Sequence, residues 1–110
     1  MNKFKVAFKG LITAVKDKSV AIQFVLGILA IVAGVIFGFS IEEFLIVGLC
    51  IGLVITTEIL NTCIERLCDV VCSEYDERIG KIKDMAAGAV LWASIVSLVI
   101  GVILIMKHIF

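Results

Sequence analysis

Between Lys18 and Glu42 stand 23 consecutive uncharged residues, and between Asp84 and Lys107 another 22. Each run exceeds the ~20 residues that a helix needs to cross a ~30 Å hydrocarbon core. The apolar residues run on continuously rather than alternating, and an open sheet edge cannot face lipid, so helices are expected and strands are not. A shorter run, Phe44 to Thr57, is interrupted by Glu58, but the apolar pattern resumes through Ile59, Leu60, Ile64 and Leu67. The fold class expected is therefore all-α integral membrane, with an N-terminal surface helix at 1–18 and transmembrane helices at 20–39, 44–67 and 85–106. Composition agrees: 62% of residues are hydrophobic and 18% charged, against about 45–50% and about 25% in soluble domains.

Ten basic and ten acidic residues give zero net charge, which excludes a protein held to nucleic acid by a basic footprint. The placement of the charges is more informative. Lys3, Lys5, Lys9, Lys16 and Lys18 precede the first span, only Glu42 and Glu43 follow it, and Arg66, Arg78, Lys81 and Lys83 lie around the second loop. By the positive-inside rule the N-terminus and second loop are cytoplasmic and the C-terminus is outside. Cleavage as a signal peptide is disfavoured, because the 23-residue run is longer than a usual h-region and no small-x-small site follows it.

Within the first 18 residues, Phe4, Phe8, Leu11, Ile12 and Val15 share one helical face among lysines, the pattern of a helix lying in the membrane interface. Small residues recur four apart: Ala30, Gly34 and Gly38; Gly48 and Gly52; Ala89, Ala93, Ser97 and Gly101. Such stripes let helix backbones approach closely. Three helices enclose little volume, so a homo-oligomer of a single domain is expected. Cys50, Cys63, Cys68 and Cys72 lack the paired spacing and histidine partners of a zinc site and read as free, small, apolar residues.

Chemistry falls to the charges admitted into or beside the spans. At about 100° per residue, Glu58, Asn61, Glu65 and Asp69 lie within an arc of roughly 80°, a stripe about 16 Å long. A carboxylate at mid-membrane costs about 2.5–3.5 kcal/mol on insertion scales, whereas an interhelical hydrogen bond returns about 0.6 kcal/mol. The stripe therefore points to function beyond helix pairing. Oxygen ligands suit Mg²⁺ bridged to phosphates; Lys83 offers a compact positive charge for a phosphate, and Glu58 a base for an alcohol proton. Phosphoryl transfer is thus possible without a P-loop or a kinase glycine loop, neither of which occurs. A small proton-coupled transporter using an intramembrane carboxylate, and a purely structural oligomer, are the other readings of the same stripe.

The run Glu58-Ile-Leu-Asn61-Thr-Cys-Ile-Glu65-Arg-Leu-Cys-Asp69, followed by Ser73-Glu74-Tyr75 and by Lys83-Asp84-Met-Ala-Ala-Gly88-Ala-Val90, resembles the bacterial diacylglycerol kinase and undecaprenol kinase family. Phe8-Lys9-Gly10-Leu11 resembles that family's amphipathic start. The resemblance implies a homotrimer in the bacterial inner membrane that uses MgATP to phosphorylate a lipid hydroxyl at sites between subunits. It implies that Glu58 is the catalytic base, that Asn61 organises the site and contacts substrate with Glu58, and that Glu65 binds the metal. Lys83 would contact phosphate, and Asp69, Asp84, Ser73, Glu74 and Tyr75 would lie toward the nucleotide. The family's second metal-binding glutamate corresponds here to Asp17, one methylene shorter, so the N-terminal helix is expected slightly closer to the site. Ala21 and Gln23 replace residues that often carry charge or histidine. The short form, without extra N-terminal sequence, favours undecaprenol over diacylglycerol as acceptor.

Overall fold

The structure, a computed structural model, describes residues 2–110; Met1, the first residue of the expected surface segment, lies outside the described residues. Four helices follow in order: α1 (Lys3–Val15), α2 (Lys18–Phe37), α3 (Ile41–Val71) and α4 (Glu77–Ile109). The last three are long and apolar enough to cross a membrane. The expected all-α architecture, a short N-terminal helix followed by three membrane-length ones, is the one the chain adopts.

Each boundary has a local cause. Asn2 Oδ1 accepts from the Phe4 amide to open α1. Asp17 Oδ1 accepts from the amides of Ser19 and Val20 to open α2, so Asp17 belongs to the start of α2 rather than to a surface helix running to residue 18. At the far end of α2, Gly38 takes the left-handed conformation with φ 75°, where the absence of Cβ removes the steric penalty. The Phe39 amide donates to the Gly34 carbonyl at 2.9 Å and Gly38 to Val35 at 3.2 Å, a Schellman closure. Ser40 then starts α3 with a capping box: its Oγ accepts from the Glu43 amide while Glu43 Oε1 accepts from the Ser40 amide. Asp76 Oδ1 accepts from the Arg78 amide to open α4.

At 1.5 Å per residue, the 31 residues of α3 and 33 of α4 span about 46 and 50 Å, well beyond a ~30 Å hydrocarbon core. The 20 residues of α2 span only about 30 Å. Contacts of Gly34 with Phe44 and of Glu43 with His108 align the three helices at one end. The surplus of the α3–α4 hairpin therefore projects at the other end, where α1 joins α2.

Packing is thin. α3 packs most extensively on α4, less on α2, and α1 touches only α2 substantially, giving a slab of 52 × 37 × 19 Å. Buried apolar residues are few: Val20, Val47, Cys68, Ala93 and Leu104. Most large apolar side chains on the three long helices face outward, an arrangement that only a lipid surround or further protein can satisfy. The glycines of the long helices differ in their surroundings. A Cβ on Gly27 would lie 2.8 Å from Ile51, and one on Gly34 would lie 2.7 Å from Phe44, so these positions set the α2–α3 approach. Gly48, Gly52 and Gly101 meet nothing within 4 Å, and Gly38, expected in the first stripe, is a turn residue instead.

Candidate active site

The polar stripe lies on the half of α3 toward the α1–α2 joint. Glu58 and Asn61 are each only 8% exposed, although both sit on a helix otherwise covered with outward apolar side chains. Glu65, one turn on, is half-buried. Asn61 Nδ2 donates to Glu65 Oε1 at 3.1 Å, the i, i+4 contact that helical geometry permits. Asn61 Oδ1 is buried and has no hydrogen-bond partner. A buried acceptor left unpaired costs about 1–3 kcal/mol, so this oxygen marks a place for a donor or cation. The carboxylates of Glu65 and Asp17 lie within electrostatic reach of Glu58, although Asp17 is 41 positions earlier in the chain.

Two ion pairs flank the stripe. Arg66 Nη2 donates to Asp17 Oδ2 at 3.0 Å, tying the start of α2 to α3. Lys83 Nζ donates to Asp69 Oδ1, also at 3.0 Å, tying α3 to α4. The lysine expected to meet a phosphate is thus held by a carboxylate of the neighbouring helix. Asp84 is exposed, as are Ser73, Glu74 and Tyr75 in the segment between α3 and α4. That segment is ordered locally, with Cys72 Sγ donating to the Glu74 carbonyl and the Arg78 side chain donating to Asp76. The Arg78 guanidinium and amide hold the Asp76 carboxyl below its usual range.

The structure brings Asp17, Glu58, Asn61 and Glu65 to one region and sets Asp69 and Lys83 beside it; Ser73, Glu74 and Tyr75 stand apart in an open loop. Among the described residues, no three His, Cys, Asp or Glu side chains converge as a ready metal cage. Two features escaped sequence reasoning. Arg66 was legible only as a charge beside the stripe, since nothing local pairs it with a residue before α2. The cluster of Glu43, Lys107 and His108 at the opposite end of the bundle was missed as well. Its half-signal was present, because Ser40-x-x-Glu43 ahead of an apolar run is a capping box.

The sequence matches a known family over nearly the whole chain. The model described as prokaryotic diacylglycerol kinase matches residues 5–105. The chain belongs to the prokaryotic diacylglycerol kinase family. Within it, the chain is 46% identical over 56 residues to a diacylglycerol kinase of Escherichia coli (strain K12), covering 51% of this chain and 46% of that protein. It is 34% identical over 74 residues to an undecaprenol kinase of Bacillus subtilis (strain 168), covering 67% of this chain and 60% of that protein. The matched regions thus span about half of the curated diacylglycerol kinases and somewhat more of the undecaprenol kinase.

Proposed function

We propose that this chain is a lipid kinase that transfers the γ-phosphoryl group of ATP to the hydroxyl of a membrane lipid alcohol. The observation that carries this reading is the pairing of a buried carboxylate, Glu58, with an orphaned buried acceptor, Asn61 Oδ1, on a membrane helix of a chain in this family. A buried carboxylate with no ion-pair partner is costly in a membrane and is suited to receiving a proton.

Glu58 accepts the proton of the lipid hydroxyl as that oxygen attacks the γ-phosphorus and ADP departs. Asn61 holds Glu65 through its Nδ2 and offers Oδ1 to the substrate. Lys83 steadies the phosphates, with Asp69, Asp84, Ser73, Glu74 and Tyr75 on the nucleotide side of the site. The donor set fits Mg²⁺: Glu65 and Asp17 supply hard oxygens, and this ion is commonly held by one or two carboxylates completed by phosphates and water rather than by a protein cage. Held by Glu65 and Asp17, it would neutralise charge developing on the transferring phosphoryl group.

The same reading places α1 and the α3–α4 loop on the cytoplasmic side, where ATP is found, and the Glu43–His108 end outside, in line with the lysine and arginine flanks. It makes the active form a homotrimer, supported by Gly48 and Gly52, whose open surroundings leave room for close approach by another copy. Undecaprenol is the acceptor put first and diacylglycerol the second: the chain matches the undecaprenol kinase over more residues, 74 against 56, and the diacylglycerol kinase at higher identity, 46% against 34%. The test is purified protein in vesicles with labelled ATP, Mg²⁺ and each lipid in turn. Label should enter undecaprenyl phosphate faster than phosphatidic acid; the reverse order would reassign the acceptor, and no transfer to either lipid would remove the kinase reading.

A further inference from the structure

Both carboxylate oxygens of Asp17 already have partners. Its Oδ1 accepts from the amides of Ser19 at 3.0 Å and Val20 at 3.3 Å, and its Oδ2 accepts from Arg66 Nη2 at 3.0 Å. Glu65, the other carboxylate assigned to the cation, is held only by the neutral amide of Asn61. Of the two, Asp17 alone carries a resident cationic partner among the described residues.

The two ends of this pair differ in freedom. The Asp17 side chain is 20% exposed and is locked into the cap of α2, whose adjoining Val20 is completely buried. The Arg66 side chain is 60% exposed and lies on a long stem that reaches solvent by rotation alone. A cation arriving at Asp17 meets a carboxylate that cannot turn away and a guanidinium that can. Two positive charges on one carboxylate oxygen repel each other, so a cation there weakens the hold on Arg66, the more mobile of the two partners.

We propose that Arg66 is the resident counterion of Asp17, and that a divalent cation binds this site by displacing Arg66 from Oδ2. The inference rests on the kinase reading for the identity of the site. Arg66 touches neither substrate nor nucleotide in this account and acts through Asp17, setting how much free cation the protein requires. An exposed ion pair is weak, so its loss corresponds to about a two- to fivefold change in affinity.

The test measures Mn²⁺ binding to the purified full chain by electron paramagnetic resonance of the free ion, without lipid or turnover. Arg66→Gln should bind Mn²⁺ about two- to fivefold more tightly than the unchanged chain. Arg66→Lys, which keeps the charge but loses the planar fork, should fall between the two and carries the test if the glutamine variant loses helicity or its elution position. In an Asp17→Asn background the Arg66→Gln gain should vanish. Equal or weaker binding by Arg66→Gln would overturn the proposal, as would a gain of the same size in the Asp17→Asn background, which would indicate a general field rather than a displaced partner. Failure of the kinase reading appears separately, as Mn²⁺ binding with no phosphoryl transfer to either lipid.

Discussion

His108 Nε2 lies 2.9 Å from both carboxylate oxygens of Glu43, across 65 positions of sequence. The Glu43 side chain is 7% exposed and also accepts from the Ser40 amide, with Lys107 at 3.5 Å and the Phe39 ring stacked on the imidazole at 5.0 Å. One carboxylate therefore joins the α2–α3 turn to the last turn of α4, where a helix end favours positive charge. Glu43→Ala should lower the thermal midpoint in detergent by several degrees, and His108→Ala by less, because the capping box survives the second change. Lipid phosphorylation below the transition should be unaffected in both, since the stripe is at the other end. Circular dichroism melting with an activity assay at low temperature checks both halves.

The glycines differ in what surrounds them: Gly27 and Gly34 press on α3, whereas Gly48 and Gly52 have open space around them. A Cβ on Gly34 would lie 2.7 Å from Phe44 and 3.0 Å from Phe39, so Gly34→Ala should cost about 1–3 kcal/mol by overpacking. Gly52→Ala meets nothing within 4 Å and should leave the fold intact. If close trimer packing uses this face, Gly52→Leu will shift the elution volume toward smaller assemblies while helicity is retained.

Acid should loosen the start of α4 through Asp76. Its folded carboxyl is held below the usual range, first by the Arg78 side chain and then by the Arg78 amide. The stability this contributes is fully present above the unfolded value of about 3.9 and is lost as pH falls through the lower folded value. Hydrogen exchange of the first-turn amides of α4, corrected for intrinsic rates, should show protection at pH 7 that fades in strong acid. Asp76→Asn, which caps without titrating, should remove this acid-dependent step.

Lys83 and Asp69 hold α3 to α4 through a contact at 3.0 Å while also flanking the site. Asp69→Asn should leave stability nearly unchanged, as expected of an exposed pair, yet should alter the half-saturating ATP concentration by freeing the ammonium. Steady-state kinetics with varied ATP reads that change; no change in KM would place the Asp69–Lys83 pair outside the nucleotide contacts.

Much of this fold follows from the hydropathy runs, because a chain in lipid has few ways to satisfy its backbone. Uncharged runs of 23 and 22 residues permit little but helices, and the periodicity of Glu58, Asn61, Glu65 and Asp69 puts them on one face wherever the helix ends. What the runs do not carry is helix length beyond the membrane. α3 and α4 continue well past the apolar segment because Asp69, Arg78 and Lys83 are ordinary residues for a helix in water. Nor do they carry long-range pairing. Asp17 with Arg66, and Glu43 with His108, join residues whose partners are fixed only when the helices are laid side by side. Helix α1 ends before residue 18 because Asp17 is a better cap for α2 than an interior residue of α1.

If Glu58 takes the proton from the lipid hydroxyl, its replacement shows in the turnover of Glu58→Gln in vesicles with labelled ATP, Mg²⁺ and undecaprenol, compared with the unchanged chain at matched helicity and elution volume. Turnover should fall by about 10²–10⁴-fold, the usual contribution of a general base, while Mn²⁺ binding persists and the thermal midpoint is unchanged or higher, since a costly buried carboxylate has been removed. Full turnover by a correctly assembled Glu58→Gln protein would contradict it.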